Sequence, residues 1–177
     1  MTLLEEVLVV GQADAGRLHC SPKPMNLEAF CLQLVADCQL TENTTDSKHT
    51  IAFVQTGDAI DRQALHNLDE TLLRHILTNL LSNAVKYSPA GGEISLKLAY
   101  ATDSVTFQIR DCGIGIPMSD ADQLFDRFHR ASNAKNIPGT GLGLSIVKQC
   151  VDAYSGSITV DSTVGVGTTF TVILPIQ

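Results

Sequence analysis

Three glycines at alternate positions, in Pro138-Gly139-Thr140-Gly141-Leu142-Gly143-Leu144, lead without a break into a run with Leu142, Leu144, Ile146, Val147 and Val151 at helical spacing. The pattern predicts a glycine loop followed by a helix that ends near Tyr154. Glycine lets the backbone approach a ligand closely, and the first turn of a helix leaves N–H groups without intrahelical partners. Loop and helix start together suit an anion, phosphate in particular. A glycine-rich loop with no ligand has the same local pattern, so the loop alone leaves both readings open. Two other phosphate loops do not fit. A Walker loop ends in Gly-Lys-Ser/Thr, whereas Gly143 is followed by Leu144-Ser145. A dinucleotide-binding turn needs a third glycine at position 144 and a strand just before it, whereas Asn136-Ile137-Pro138 precedes this loop.

The rest of the chain predicts an α+β fold, a mixed and mostly antiparallel sheet with helices on one face. Residues 3–18 set Leu3, Leu4, Val7, Leu8, Val10 and Gly11 on or near one helical face. That stripe calls either for a partner helix or for a fold back onto its own domain. Ser21-Pro22-Lys23-Pro24 breaks the helix, and helical spacing resumes from Leu27 to Leu40 with Phe30, Leu34, Val35 and Cys38 on one side. Thr41–Lys48 reads as a polar turn, His49–Gly57 as a strand and Ala64-Leu65 as a short strand. Asp69 caps a helix from Glu70 to about Tyr87 whose apolar face runs from Leu72 and Leu73 to Ala84. Glu93–Tyr100 and Ser104–Arg110 alternate as a hairpin. Residues 112–140 are rich in Gly, Pro and polar side chains, with one short helix near Ser119–Phe128. Ser157–Asp161 and Thr168–Leu174 read as closing strands.

Two constellations carry chemistry. Asn79 and Asn83 share a face of a leucine-rich helix, where unpaired amides are costly to bury. A hydrated metal or a ligand would supply partners, and so would neighbouring backbone. Lys86 and Tyr87 follow about one turn later. Asp111 ends a strand before Gly113 and Gly115, where a carboxylate either accepts from an exocyclic amine or serves an ordinary turn.

Composition removes other classes. A net charge of −7 over 177 residues argues against a nucleic-acid surface. No apolar run approaches the ~20 residues that span a bilayer. The start, Met1-Thr2-Leu3-Leu4-Glu5-Glu6, lacks the basic end of a signal peptide. The five cysteines form no CxxC pair, which argues against structural zinc and for reduced cytosolic thiols.

Taken together, the motifs resemble those of the sensor histidine kinases, within the superfamily shared with gyrase, the heat-shock chaperone and mismatch-repair ATPases. Asn79-Leu80-Leu81-Ser82-Asn83-Ala84-Val85-Lys86-Tyr87-Ser88-Pro89 resembles their N box, and Asp111-Cys112-Gly113-Ile114-Gly115-Ile116 their G1 box. Leu124-Phe125-Asp126-Arg127-Phe128-His129-Arg130 resembles the F box, and Gly139-Thr140-Gly141-Leu142-Gly143-Leu144 the G2 box. Gly165-Val166-Gly167-Thr168-Thr169-Phe170 and Leu174-Pro175 resemble the closing strands. One box is weak evidence; four in order are specific.

The resemblance implies that residues 21–177 form a catalytic ATP-binding domain, a Bergerat-type α/β sandwich with a long ATP lid at about residues 117–140. It also implies that residues 1–20 are the end of the second helix of a dimerisation and phosphotransfer hairpin, with its linker. The implied cofactors are ATP and Mg²⁺. Asn83 would hold Mg²⁺, Asn79 would sit beside the phosphates, and Lys86 would contact them. Tyr87 would line the pocket. Asp111 would accept from the adenine amino group, with Gly113, Gly115 and Ile116 around the base. Gly139, Thr140, Gly141 and Gly143 would bring the lid to the phosphates, which the backbone N–H groups of Leu142–Leu144 would face. Asn79, Asn83, Lys86 and Arg130 form the implied catalytic set, Arg130 by reaching the γ-phosphate. Arg127 is either a site residue or a surface charge, and His75 either approaches the site or packs. Phe125 and Phe128 would anchor the lid's short helix.

A full kinase also needs a phosphoacceptor box. His19, His49, His66, His75 and His129 all lack its context. The chain is therefore expected to be a monomeric cytoplasmic fragment of a homodimeric kinase, without membrane or nucleic-acid contacts. Its partners would be the phosphoacceptor hairpin and a response-regulator receiver domain. A gyrase-type ATPase is the second reading, but Asn79 occupies the place of its water-activating glutamate, and an amide takes no proton at neutral pH. A non-catalytic nucleotide-dependent interaction module is the third.

Overall fold

The computed structural model describes residues 3–43, 49–56 and 65–176. Helix α1 (Leu3–Asp14) is followed by β1 (Lys23–Met25), α2 (Leu27–Asn43), β2 (His49–Thr56) and β3 (His66–Leu68). Then come α3 (Glu70–Lys86), β4 (Gly92–Tyr100), β5 (Ser104–Arg110), α4 (Gly143–Ala153), β6 (Ser157–Thr163) and β7 (Gly167–Pro175). The main sheet has five strands in the order β2-β4-β5-β7-β6. Only the β2–β4 pair is parallel.

Strand alternation explains the layering. Ile94, Leu96 and Leu98 of β4, Val105, Phe107 and Ile109 of β5, and Phe170, Val172 and Leu174 of β7 are all buried. They meet the apolar faces of α3 and α4, including Leu73, Leu77, Leu80, Ile146 and Val151, in one core. Each such side chain contributes about 1.5–3 kcal/mol on leaving water. Residues between them face the other way, where Gln108 Nε2 donates to Thr171 Oγ1 at 3.3 Å. The fold is thus the expected α/β sandwich with helices on one face.

Asp69 joins the helical layer together. Its Oδ1 caps α3 by accepting from the N–H groups of Thr71 and Leu72 at 2.9 and 3.0 Å. Its Oδ2 accepts from the Ser21 N–H at 2.9 Å, and its carbonyl accepts from the Tyr154 hydroxyl at the end of α4.

Several boundaries differ from the sequence reading. Lys23–Met25, inside and just after the proline-rich break, forms β1, which pairs antiparallel with β3. The latter starts at His66, beyond Ala64-Leu65; Ala64, Gly57 and residues 44–48 lie outside the described residues. Helix α2 runs on to Asn43, and α1 stops at Asp14. The helix turns on α4 through Val9, which is buried in the core, with Val10 packed beside it. Leu3, Leu4, Val7 and Leu8 remain exposed. The residue that docks, Val9, thus lies outside the predicted stripe; of the stripe itself Val10 is partly buried against the core, and Leu3, Leu4, Val7, Leu8 and Gly11 face solvent.

Candidate functional site

The N-box asparagines sit where α3 passes under the start of α4. Asn79 is 6% exposed, and its Nδ2 donates to the His75 carbonyl at 2.8 Å. The backbone partner considered for it thus exists, yet it uses only one end of the amide. Oδ1 points at Gly143, where an added Cβ would lie 2.9 Å from it and 3.9 Å from Asn83 Nδ2. A residue without a side chain is required there for α4 to start against both amides.

Lys86 and Tyr87 close α3. The Lys86 ammonium lies 4.8 Å from the centre of the Tyr87 ring. It fills the space that a side chain at Gly139 would take, since a Cβ there would be 2.2 Å from Nζ. Gly141 has φ +76°, and the Phe128 N–H donates to its carbonyl at 2.9 Å, which folds the lid back on itself. Leu142 caps α4 with no side-chain bond, so Gly143 and Leu144 begin a helix whose first N–H groups have no side-chain partner.

Asp111 lies on the sheet side of the same cavity. It is 8% exposed, and its Oδ1 accepts from the N–H groups of Gly113 at 2.8 Å and Thr168 at 3.2 Å. Burial raises its pKa, and these two N–H groups partly oppose the rise. With Oδ1 held, Oδ2 is the oxygen left for a ligand. The Ile114 N–H donates to the Tyr87 carbonyl at 2.9 Å, which couples the loop after Asp111 to the end of α3.

One cavity brings together Asn79, Asn83, Lys86, Tyr87, Asp111 and Arg130, with Gly115, Ile116, Gly139, Thr140, Gly141, Gly143 and Leu144 from the loops. Gly113 and Leu142 do not reach its wall. Gly113 is packed against the Tyr87 carbonyl, where a Cβ would lie 2.2 Å from the oxygen. Leu142 is 2% exposed in the core, and its N–H donates to Thr140 Oγ1 at 3.2 Å, so of Leu142–Leu144 only the last two present free N–H groups.

The lid departs most from the sequence reading. In place of a helix over Ser119–Phe128 there is a 3₁₀ helix at Met118–Gln123, and a second, unexpected one at Ser132–Ala134. Phe125 packs on the core, but Phe128 is 71% exposed with φ 62°, so it anchors the lid through its backbone and not by packing. Arg130 Nη2 donates to the carbonyls of Ala134 (2.7 Å), Lys135 (3.3 Å) and Ile137. Its Nε is buried with no partner among the described residues. Arg127 is a surface charge here, paired through both nitrogens with Asp14 of α1. His75 contributes its carbonyl to Asn79 and does not line the cavity.

Glu6, Ser82, His129, Asn133 and Thr168 also line the cavity, and sequence reasoning missed them. Ser82 lies three residues after Asn79, a spacing that signals a shared face. Asn133 Nδ2 donates to the Gly115 carbonyl at 2.9 Å and ties lid to loop. Glu6, from α1, carries no local signal at all.

An α/β sandwich whose open edge joins an asparagine-bearing helix, a strand-end aspartate and a glycine-loop lid defines a Bergerat-type nucleotide-binding domain. The model for the histidine kinase-, DNA gyrase B- and HSP90-like ATPases matches residues 68–177, and the chain belongs to that family. It is 36% identical over 182 residues to the circadian input-output histidine kinase CikA of Synechococcus elongatus, covering 100% of this chain and 23% of that protein. It is 41% identical over 119 residues to the sensor histidine kinase WalK of Bacillus subtilis, covering 65% of this chain and 20% of that one. The crystal structure of full-length ShkA in complex with AMPPNP superposes with a TM-score of 0.82 at 26% identity, covering 98% of this chain and 35% of ShkA. The chain therefore spans about a quarter of the length of CikA. Among the described residues, no helix is long and apolar enough to cross a membrane.

Proposed function

We propose that this chain binds Mg-ATP and passes the γ-phosphoryl group to a histidine on a dimerisation hairpin, as the catalytic domain of a sensor histidine kinase. One observation carries the reading: across a single cavity, the Asn79–Asn83 face and Lys86 meet the glycine loop, with the free oxygen of Asp111 on the sheet side.

The donor set fits the ligands. Mg²⁺ takes oxygen donors and keeps several waters, so one amide oxygen together with phosphates is a sufficient site. No group of three or more His, Cys, Asp or Glu among the described residues forms a separate metal cage. When bound, Mg²⁺ neutralises charge on the phosphates. Asn83 holds it, and Asn79, fixed by its bond to the His75 carbonyl, orients the same face. Lys86 and the N–H groups of Gly143 and Leu144 meet the phosphates, and Thr140 and Gly141 shape the loop over them. Asp111 Oδ2 accepts from the adenine amino group, while Tyr87, Gly115 and Ile116 line the base. Gly113 and Leu142 serve by packing. Arg130 reaches the γ-phosphate only by releasing its lid carbonyls, which makes it a residue of lid rearrangement. Catalysis then rests on positioning and charge. An amide at Asn79 activates no water, which favours transfer over hydrolysis.

The same reading assigns residues 1–20 to the end of a hairpin helix and its linker, and residues 21–177 to the catalytic domain. Its partners are the phosphoacceptor hairpin and a receiver domain, with no nucleic acid or membrane contact. The chain is monomeric and cytoplasmic, and the whole kinase a homodimer. The names of its relatives support the histidine kinase reading, and the AMPPNP bound by ShkA supports a nucleotide in the pocket.

The test measures ATP affinity with Mg²⁺ and with EDTA, then transfer to a hairpin supplied in trans. Asn83→Ala is expected to abolish Mg²⁺-dependent binding and Asp111→Asn to weaken binding. Acid-labile phosphate is expected on the hairpin, at modest yield because the covalent linkage is absent. Unchanged affinity in both variants refutes the site, and fast hydrolysis without transfer favours the ATPase reading.

A further inference from the structure

The cavity wall holds two carboxylates, and they belong to different walls. Asp111 is fixed on the sheet side by two N–H groups. Glu6 comes from α1, outside residues 68–177, and its Oε2 accepts from Thr140 Oγ1 at 2.9 Å. Thr140 Oγ1 in turn accepts from the Leu142 N–H, just before the first turn of α4. The neighbouring glycines meet Lys86 (Gly139) and the asparagine pair (Gly143). Glu6 therefore places a negative charge on the very loop that faces the anion site. It is held there, since Val9 anchors α1 in the core and Asp14 pairs with Arg127 in the middle of the lid.

We propose that Glu6 determines which nucleotides the pocket accepts: its carboxylate, held on Thr140, opposes a nucleoside 5′-polyphosphate in proportion to the ligand's negative charge. The inference rests on the nucleotide-binding reading and adds to it a residue that the family motifs do not contain. Like charges repel more across a cleft walled by protein than across bulk water. The Lys86 ammonium and the helix start attract the phosphates; Glu6 offsets part of that attraction and leaves the base untouched. By linkage, a bound polyphosphate weakens the hold of α1 on the lid by the same factor that α1 weakens the polyphosphate.

The experiment compares adenosine, ADP and ATP by calorimetry at fixed Mg²⁺, using the full chain and its Glu6→Gln and Glu6→Lys variants. Glu6→Gln is expected to tighten ATP about tenfold and ADP about threefold, and to leave adenosine within about twofold. Glu6→Lys is expected to extend the same order, and raising salt to shrink the gain. Equal changes for all three ligands mean a structural role and overturn the proposal. Weaker ATP in Glu6→Gln also overturns it, by making Glu6 an ion ligand in place of an opponent. If wild type binds all three and the variants track it, only the role of Glu6 fails. If no ligand binds to any of the three proteins, the nucleotide reading fails with it.

Discussion

Replacing Gly113 with alanine puts a Cβ 2.2 Å from the Tyr87 carbonyl oxygen, 2.8 Å from the Tyr87 carbonyl carbon and 2.9 Å from Ser88 Oγ. Two of those atoms are backbone at the end of α3, so the loop after Asp111 must move by roughly 1 Å to restore ordinary contact, an overpacking cost of about 1–3 kcal/mol. The move also stretches the Ile114 N–H bond to the Tyr87 carbonyl, now 2.9 Å, which adds about 1 kcal/mol. The sum, about 2–4 kcal/mol, predicts a Tm lower by roughly 5–15 °C for a chain of this size. Urea melts of wild type and variant side by side measure the free-energy difference, and thermal melts the Tm shift. ATP affinity should fall as well, because Gly113 positions the N–H that holds Asp111 Oδ1. Gly139→Ala is the control. Its Cβ would meet Lys86 Nζ at 2.2 Å, the far end of a flexible side chain that can swing away. Stability should stay within about 0.5 kcal/mol, and ATP affinity should fall if Lys86 has the phosphate-binding role proposed above. A Gly113→Ala protein as stable as wild type, or a Gly139→Ala protein as unstable as Gly113→Ala, would refute the packing argument.

Two pH effects follow from burial. Asp111 has a raised pKa, so it takes a proton at a pH above the usual carboxylate value of 3.8. ATP affinity should therefore fall with decreasing pH earlier than an ordinary aspartate would cause, and Asp111→Asn should remove that step; calorimetry from pH 7 downward checks this. His75 has a pKa lowered by burial, a change that Glu5 and Asp69 partly oppose. The unfolded chain then binds the proton first as pH falls through 6.5, so stability is fully present above that pH and declines below it until folded His75 also protonates. Urea midpoints at pH 8 and 5.5 should differ more in wild type than in His75→Gln; an equal difference argues that another group titrates.

What could be read from the chain alone is what short-range chemistry writes. The alternation at Ile94, Leu96 and Leu98 and the leucine face of α3 announce layer and core, because burial on a strand has period 2 and on a helix period 3.6. Asp69 announces the start of α3, because a cap bonds within three residues. The asparagine pair, Lys86, Asp111 and the glycine loop stand out in the sequence because each is a local motif, and the fold gathers them around one cavity. Tertiary structure alone decided the rest, and always through partners far along the chain. Arg127 is a surface charge because Asp14, 113 residues away, meets it. Phe128 is exposed because its backbone, not its ring, answers to Gly141. Arg130 turns into the lid because the carbonyls of a 3₁₀ turn gather there. Glu6 enters the cavity only because Val9 docks α1 on α4, and Thr140 lies 134 residues away from it. Periodicity and capping act over one or two turns of chain, whereas a charge or hydroxyl reaches whatever the fold carries to within 3 Å.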